Sequence, residues 1–373
     1  MTQGETPLAD LDRILGTAVA SDASDIILKS GSQPALKVHG KVLFLADDRL
    51  DSQSIESFVE RMAGPEAKAK LVHGECDFAF ETAKCGRFRC NAFRQGGLLS
   101  IVMRHVKAAV PGFEDLYLPL RPFEAFAAAA RGLILVTGVT GSGKTTTVAS
   151  LVQRINATRN VHIVTLEDPI EFRFTDDLSV INQREIGLDT SSWQSGLRAA
   201  MREAPDVIVI GEIRDAETMS AAIAAAETGH LVISTLHTVN AQQSIERVMT
   251  FFPPHQHELI RFQMATAIVG VASQRLMPCR TENRMIPAVE VLLGTPRVRE
   301  LLREGKTREI DKALVEGAEF YGTQTFNQSL RSLMDAGLIS VEDALAASDN
   351  LEELRLALRG ISKGNERKFS INR

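Results

Sequence analysis

The sequence predicts an α/β fold in which a domain with a doubly wound, mainly parallel sheet follows a smaller α+β domain. Residues 138–145 read Gly-Val-Thr-Gly-Ser-Gly-Lys-Thr and fit the phosphate-loop pattern G-x-x-x-x-G-K-[ST]. From residue 123 onward, short apolar runs alternate with helical patterns, which is typical of a doubly wound sheet. Residues 110–122 are punctuated by proline and glycine and lack a clear period. We therefore place one domain at 1–109, a linker at 110–122, and a second domain with C-terminal helices at 123–373.

Composition and charge exclude several classes of protein. The chain has 373 residues, of which 44% are hydrophobic and 24% charged, as is usual for a globular protein of more than one domain. Its net charge of −5 provides no global positive field for nucleic acid or anionic lipid. No apolar run approaches the roughly 20 residues of a membrane span, and residues 1–5 do not begin a secretion signal. We therefore expect a cytoplasmic protein.

The four cysteines, Cys76, Cys85, Cys90 and Cys279, form no C-x-x-C pair. Their spacing argues against a zinc ribbon and against a redox dithiol. Three of them lie close together in the sequence, so a metal site is conceivable. Reduced, partly buried thiols are the better interpretation.

The first domain combines helical and strand patterns. Apolar residues from Leu8 to Val19 mark one face of an opening helix. A hairpin is expected around residues 39–41, since short apolar runs flank His39-Gly40-Lys41. The remaining predicted elements are a strand at 25–28, helices at 52–62 and 65–72, and strands at 77–80, 87–94 and 99–106.

The strand from residue 87 carries arginines on one face. Arg87 and Arg89 alternate with apolar residues such as Phe88 and Cys90, and Arg104 lies near the end of the next strand. Such arginines could reach a nucleotide phosphate across an interface. They could equally form a solvated face with surface ion pairs, and spacing alone does not decide between the two.

The phosphate loop lies between a predicted buried strand at 133–137 and a predicted helix at 146–152. Glycines allow backbone N–H groups to curl around phosphate oxygens, and the helix N-terminus adds partial positive charge. Lys144 is expected to reach the β- and γ-phosphates, and the Thr145 hydroxyl to ligate Mg²⁺. The predicted nucleotide-binding residues of this segment are Gly138, Thr140, Gly141, Ser142, Gly143, Lys144, Thr145 and Thr146.

Two acidic residues follow buried strands at the edge where ligands of such sheets bind. Glu167 follows the apolar run at 161–166, and Glu212 follows the run at 207–210. Glu167 could meet the γ-phosphate or its attacking water, although an acidic turn closing a strand is the alternative. Asp206 precedes its strand and is therefore predicted to be a turn residue, whereas Glu212 is assigned the acidic Walker B role.

Histidines flank the next predicted strand, at 231–235. His237 follows this strand at the phosphate end, while His230 lies at its opposite end or on its approach. A lone histidine is often a structural hydrogen-bonding residue, so the sequence leaves the role of His230 open. Beyond residue 241 the patterns predict helices at 244–250 and 257–275, a strand at 289–293, and helices at 297–303, 325–336, 341–346 and 351–358.

Several motifs in one order resemble the bacterial secretion and type IV pilus ATPases, and within them the twitching-motility retraction branch (PilT and PilU). The resemblance extends through roughly residue 358. The segments that carry it are Ser24–Ile26, Gly86–Phe93, the phosphate loop, an aspartate-box-like segment at Leu166–Phe172, a Walker-B-like segment at Pro205–Asp215, and a histidine-box-like region from Thr228 to Thr238.

This resemblance implies a homo-hexameric ring whose subunits have a PAS-like N-terminal domain and a RecA-like domain that binds ATP and Mg²⁺. It implies that Glu167 polarises water and that Glu212 is the Walker B acid and a metal ligand. His230 and His237 match the histidine box. Arg89 and Arg104 match arginines that reach the nucleotide, with Arg87 as a third candidate.

The resemblance also implies partners. A retraction motor acts at the cytoplasmic face of the inner membrane on a pilus platform protein, sometimes beside a paralogous retraction ATPase, and takes no nucleic acid. The chain lacks the extra N-terminal domain and the four-cysteine zinc insertion usual in assembly and secretion ATPases, which favours the retraction branch. A PilT-like main motor and a PilU-like accessory paralogue both remain open, with a related secretion or conjugation ATPase as the alternative. The complete set of Lys144, Thr145, Glu167 and Glu212 argues against a ring component that hydrolyses little ATP.

Overall fold

The computed structural model describes residues 11–38, 41–45, 49–72, 74–106 and 109–358. The chain divides into two compact units. The first comprises the described residues up to Ala109 together with Glu171–Arg173, and the second comprises Val110–Ile170 and the described residues from Phe174 onward. In the described part of the chain, no helix combines the length and apolarity needed to cross a membrane.

The first unit is an antiparallel sheet covered on one face by helices. The sheet has the order β3-β2-β1-β6-β5-β4. Its core contains Leu15, Ile55 and Phe88, each fully buried. The predicted hairpin pairs β2 with β3, while its residues His39 and Gly40 lie outside the described residues, as does Leu8 of the opening helix. The elements are α1 (Leu11–Ala20), β1 (Asp25–Lys29), β2 (Ala35–Val38), β3 (Lys41–Phe44), α2 (Ser52–Met62), α3 (Pro65–Leu71), β4 (Glu75–Thr82), β5 (Gly86–Gln95) and β6 (Leu98–Val106).

The second unit has a seven-stranded sheet of order β13-β12-β7-β11-β10-β8-β9, in which β13 is antiparallel to its neighbour and the other strand pairs are parallel. Its strands are β7 (Gly132–Thr137), β8 (His162–Glu167), β9 (Val180–Glu185), β10 (Val207–Ile210), β11 (Leu231–Leu236), β12 (Ile268–Pro278) and β13 (Met285–Leu293). Its helices are α4 (Leu120–Ala128), α5 (Lys144–Thr158), α6 (Trp193–Ala200), α7 (Ala216–Glu227), α8 (Ala241–Thr250), α9 (His257–Ala267), α10 (Pro296–Glu304), α11 (Ile310–Tyr321), α12 (Phe326–Asp335), α13 (Val341–Ala347) and α14 (Leu351–Leu358).

Strand β7 shows why the second sheet must be covered on both faces. Every residue of β7 is buried, and successive side chains enter different cores. Leu133 and Leu135 belong to the core that α7 and α8 share, whereas Ile134 and Val136 belong to the core that includes α4 and α5. Because side chains alternate along a strand, an unbroken apolar run has two apolar faces, and each needs its own layer of helices. The predicted α/β class is therefore confirmed.

Several segments differ from the sequence-based expectation. Residues 110–122, expected to be a linker, lie within the second unit, because Phe113 and Leu118 are buried against the residues of α4. The helix expected at 257–275 ends at Ala267, and β12 follows it. The run from Ile268 is rich in β-branched residues and extends as a strand between β7 and β13, a pairing partner that local periodicity does not reveal. Strand β9 and helix α11 were not predicted at all.

Candidate nucleotide site

The phosphate loop joins β7 to α5 through a backbone that requires glycine. Gly138, Gly141 and Gly143 have φ values of 150°, 78° and 86°. A Cβ atom on Gly138 would lie 2.4 Å from Ser142 Oγ and 2.6 Å from the carbonyl oxygen of Gln274. The loop therefore needs glycine at these positions, and it leads into the N-terminus of α5, a helix of 15 residues.

Lys144 is held over this loop. Its side chain is buried, and Nζ donates hydrogen bonds to the carbonyl oxygens of Gly138 at 2.7 Å and Val139 at 3.0 Å. Burial lowers the pKa of Lys144, and the negative charge of Glu212 opposes that shift. Thr140, Gly141 and Thr145 are exposed, so the ammonium lies beside an open loop and an accessible hydroxyl.

Parallel pairing brings the predicted acids and His237 to the same edge as the loop. Thr137 at the end of β7 lies opposite Leu236 at the end of β11. Strand β10 pairs in register with β11 on one side and with β8 on the other. The residues that follow these strand ends therefore share one edge of the sheet. The site thus combines the Lys144 loop with Glu167, Glu212 and His237.

Glu212 lies at the centre of this edge. Its side chain is only 14% exposed and forms an ion pair with Arg214, while His237 Nε2 lies 3.3 Å from its carboxylate. The hydrogen bond to Glu212 raises the pKa of Arg214. A cavity of about 640 Å³ opens here, lined by Glu212, Ile213, Arg214, Leu236, His237 and Arg247.

Glu167 is oriented by two donors. Thr165 Oγ1 donates to Glu167 Oε1 at 2.6 Å, and Gln183 Nε2 donates to the same oxygen at 3.1 Å. Thr165 lies two residues earlier on β8, and Gln183 lies on β9, the adjacent edge strand. Both donors bond one oxygen, so they fix the carboxylate plane.

Sequence reasoning missed several side chains of this site. Arg214 lies two residues after Glu212 in the segment already singled out, so its position was a usable signal. Arg247 comes from α8, stacks on Phe251 with its Cζ atom 4.8 Å from the ring centre, and enters the cavity from a helix with no motif. Gln183 belongs to the strand that was not predicted, and no local pattern marked it.

Two residues lie at the opposite edge of the sheet. Asp206 accepts a hydrogen bond from the backbone N–H of His162 at 2.9 Å, as suits a turn residue. The backbone carbonyl of His230 accepts from Gly132, the first residue of β7, and its Nδ1 lies 3.0 Å from the carbonyl oxygen of Ala225. A whole strand length separates His230 from the loop of its own chain, and the nucleotide-binding role expected for it stays a prediction.

The candidate arginines belong to the first unit. Arg89 on β5 lies directly opposite Arg104 on β6, so their side chains share one face of the sheet with Arg87. Arg104 Nη2 forms an ion pair with Asp25 at 2.8 Å, and the side chain of Arg104 is 64% exposed. The alternation predicted for β5 holds, since Phe88, Cys90 and Ala92 are fully buried on the other face.

The cysteines behave as buried or half-buried thiols. Cys76 and Cys90 are buried, and desolvation raises the pKa of Cys90 to about 12. Among the residues that the structure describes, no group of three or more His, Cys, Asp or Glu side chains is arranged to hold a metal ion.

A buried carboxylate on β13 holds the start of α8, the helix that follows His237 in the chain. Glu290 on β13 is 5% exposed and accepts a hydrogen bond from the backbone N–H of Ala241, the first residue of α8, at 2.7 Å. Desolvation raises the pKa of Glu290 to about 7. The Ala241 N–H and Arg275 act against this shift, and the charges of Asp311 and Asp349 add to it.

Comparisons with known proteins agree with this geometry. Residues 88–341 match the family described as Type II/IV secretion system protein. The chain is 36% identical over 351 residues to the Type IV pilus ATPase PilU of Pseudomonas aeruginosa, covering 94% of this chain and 91% of that protein. It is 37% identical over 336 residues to the Type IV pilus retractation ATPase PilT of the same organism, covering 90% and 97%.

A solved structure extends the comparison to the fold. The crystal structure of the pilus retraction motor PilT with bound ADP matches with a TM-score of 0.85 at 40% identity, covering 93% of this chain and 99% of that one. The chain therefore belongs to the Type II/IV secretion system protein family. Within it, the resemblance to the retraction branch is confirmed, and PilT and PilU relatives stand at nearly equal identity.

The elevated pKa of Glu290 leads to a pH-dependent prediction. A carboxyl group whose folded pKa is raised from 4.5 to about 7 destabilises the fold once it ionises, so its effect grows as pH rises between these values. Glu290→Gln keeps an acceptor for Ala241 but cannot ionise. Relative to the wild type, it should gain on the order of 3 kcal/mol of unfolding free energy between pH 4.5 and pH 8.

Urea denaturation at several pH values measures this difference. Glu319→Gln, at an exposed position on α11, is the matched control and should show no such trend. A Glu290→Gln effect of the same size at every pH would contradict the prediction.

Proposed function

We propose that this protein is a Mg²⁺-dependent ATP hydrolase that works as a motor of type IV pilus retraction, the activity that underlies twitching motility. The observation that carries the proposal is the convergence of the Lys144 loop, Glu167 and Glu212 on one edge of the parallel sheet. The site alone supports ATP hydrolysis. The assignment to pilus retraction comes from the names of the PilT and PilU relatives.

Nucleotide binding is assigned to the loop and the first turn of α5. Loop N–H groups and the helix N-terminus attract the phosphates, and Lys144 exchanges its loop carbonyl partners for phosphate oxygens. The Thr145 hydroxyl and the Glu212 carboxylate are oxygen donors near this lysine, which fits Mg²⁺, since that ion takes few protein ligands beside phosphates and water. When bound, Mg²⁺ would neutralise the charge on the transferring phosphate.

Glu167 is assigned the role of orienting and polarising the attacking water. Thr165 and Gln183 bond its Oε1 and so hold the carboxylate in a fixed plane. His237 lies close to Glu212, where it is proposed to respond to the presence of phosphate at this end of the site. Positioning and electrostatics of this kind account for most of the acceleration in phosphoryl transfer.

The arginines and the assembly complete the proposal. In a homo-hexameric ring, Arg89 and Arg104, with Arg87 as a third candidate, are proposed to approach the nucleotide. The partners proposed for this ring are an inner-membrane pilus platform protein, at the cytoplasmic face of that membrane, and a paralogous retraction ATPase. No nucleic-acid partner is proposed, since the net charge is −5.

The first prediction from the proposed function concerns the chemistry at the sheet edge. Lys144→Ala and Glu212→Gln should each lower the steady-state rate of phosphate release by at least about 10³-fold. Lys144→Ala removes the cation that compensates the phosphate charge, and Glu212→Gln removes the carboxylate proposed to hold Mg²⁺. Asp206→Asn is the matched control at the other edge of the sheet and should retain activity. Full activity of both site variants would sink the proposed mechanism.

The second prediction concerns the arginines. Arg89→Ala should lower kcat by about 10² to 10³-fold while leaving the affinity for ADP within a few-fold of the wild type. The reason is that an arginine in this role stabilises the transition state rather than the bound product. Mixing Arg89→Ala with Lys144→Ala subunits should restore some turnover if the arginine acts in trans. Arg94→Ala, at the exposed end of β5, is the control. Wild-type kcat in Arg89→Ala would remove this arginine from the mechanism.

The third prediction separates retraction from a secretion function. Deleting the gene in its host should leave pili on the surface but abolish twitching, and the Lys144→Ala allele should not restore movement. The family description also covers secretion motors. Unchanged twitching combined with loss of protein secretion or conjugation would favour that second function.

A further inference from the structure

Beneath the phosphate loop lies a buried side chain that the proposed mechanism does not use. Gln274, on β12, is 1% exposed, and its Nε2 donates a hydrogen bond to the carbonyl oxygen of Ser142 at 2.6 Å. The orientation of the carboxamide follows from chemistry, because a carbonyl oxygen only accepts and Oε1 in that place would oppose it.

The phosphate loop packs directly against Gln274. A Cβ atom on Gly143 would lie 3.1 Å from Gln274 Nε2, and one on Gly138 would lie 2.6 Å from the Gln274 backbone oxygen. On the other face of β12, Ser273 Oγ accepts a hydrogen bond from Thr137 Oγ1 at 3.0 Å. Strand β12 therefore holds the residue just before the loop and a peptide inside it.

The hydrogen bonding of Gln274 is incomplete in a way that stability alone does not explain. In the described part of the chain, Gln274 Oε1 and Ser142 Oγ are buried without a hydrogen-bond partner. A buried polar atom in this state costs roughly 1–3 kcal/mol. An apolar side chain would remove this cost but leave the Ser142 carbonyl oxygen without its donor, so stability alone does not favour the carboxamide over an apolar residue. The hydrogen bond to the loop points to a role there.

We propose that Gln274 is a positioning residue for the phosphate loop. A peptide group is planar and trans, so drawing the Ser142 carbonyl toward β12 turns the N–H of Gly143 away from the strand, to the side open to phosphate. The carboxamide thus preorganises a donor before nucleotide arrives. This inference rests on the proposed function, because it assumes that the loop binds nucleotide.

Gln274→Met tests the inference, since it keeps the length of the side chain and removes its hydrogen bond. The Kd of a fluorescent ADP analogue with Mg²⁺, and the KM for ATP, should rise about tenfold, equivalent to about 1.4 kcal/mol. The kcat should stay within about twofold. The melting temperature should stay within about 2 °C, since losing the orphaned Oε1 offsets the newly orphaned Ser142 carbonyl. Gln263→Met, on α9, is the matched control.

Gln274→Glu provides a measurement, the pH dependence of Kd, that would not change if Gln274 had only a structural role. Protonated, the carboxyl group can donate to the Ser142 carbonyl; ionised, it cannot, and it places a negative charge beneath the loop. Its Kd relative to the wild type should therefore approach 1 at low pH and grow as pH rises. A flat ratio across pH would overturn the proposal.

Three further outcomes are distinguishable. A wild type that neither binds nor hydrolyses nucleotide refutes the proposed function itself. A wild type that binds, with Gln274→Met unchanged in Kd and KM, refutes only the positioning role. Loss of folding in both Gln274 variants, or a fall in melting temperature without a change in affinity, would make Gln274 a structural residue and overturn the inference.

Discussion

The site depends on a buried ammonium group that must stay charged without a carboxylate bonded to it. Lys144 meets this constraint by donating to the carbonyls of Gly138 and Val139, while Glu212 stabilises its charge electrostatically. Carbonyl oxygens are neutral, so a phosphate can replace them without breaking an ion pair. The glycines follow from the same constraint, because the positive φ values of Gly138, Gly141 and Gly143 let the loop curl its carbonyls under the lysine.

The acids at the edge differ through their partners. Glu212 is bonded by Arg214 and approached by His237, so it belongs to a network of charge. Glu167 accepts hydrogen bonds from the hydroxyl of Thr165 and the carboxamide of Gln183. The two acids at this edge therefore differ in the side chains that the structure places against them.

Strand β12 connects the site with the C-terminal helices. Successive residues face different neighbours: Ser273 meets Thr137, Gln274 meets Ser142, and Arg275 bonds the carbonyl of Ala347 and the carboxylate of Asp349. Glu290 on β13 lies opposite Ser273 and anchors the start of α8. The loop and the helices of the last hundred residues therefore share one strand as support.

The sequence by itself determined the loop, the acids at the strand ends and the α/β class, because each depends on local chemistry: glycine freedom, apolar runs and the shared edge of parallel strands. Only the tertiary structure decided that residues 268–278 form a strand, that residues 110–122 belong to the second unit, and that Gln183, Arg247 and Gln274 lie beside the loop and the acids. It also placed His230 away from the loop of its own chain. The physical reason is that strand pairing and side-chain hydrogen bonds join residues far apart in the chain, so no local period encodes them.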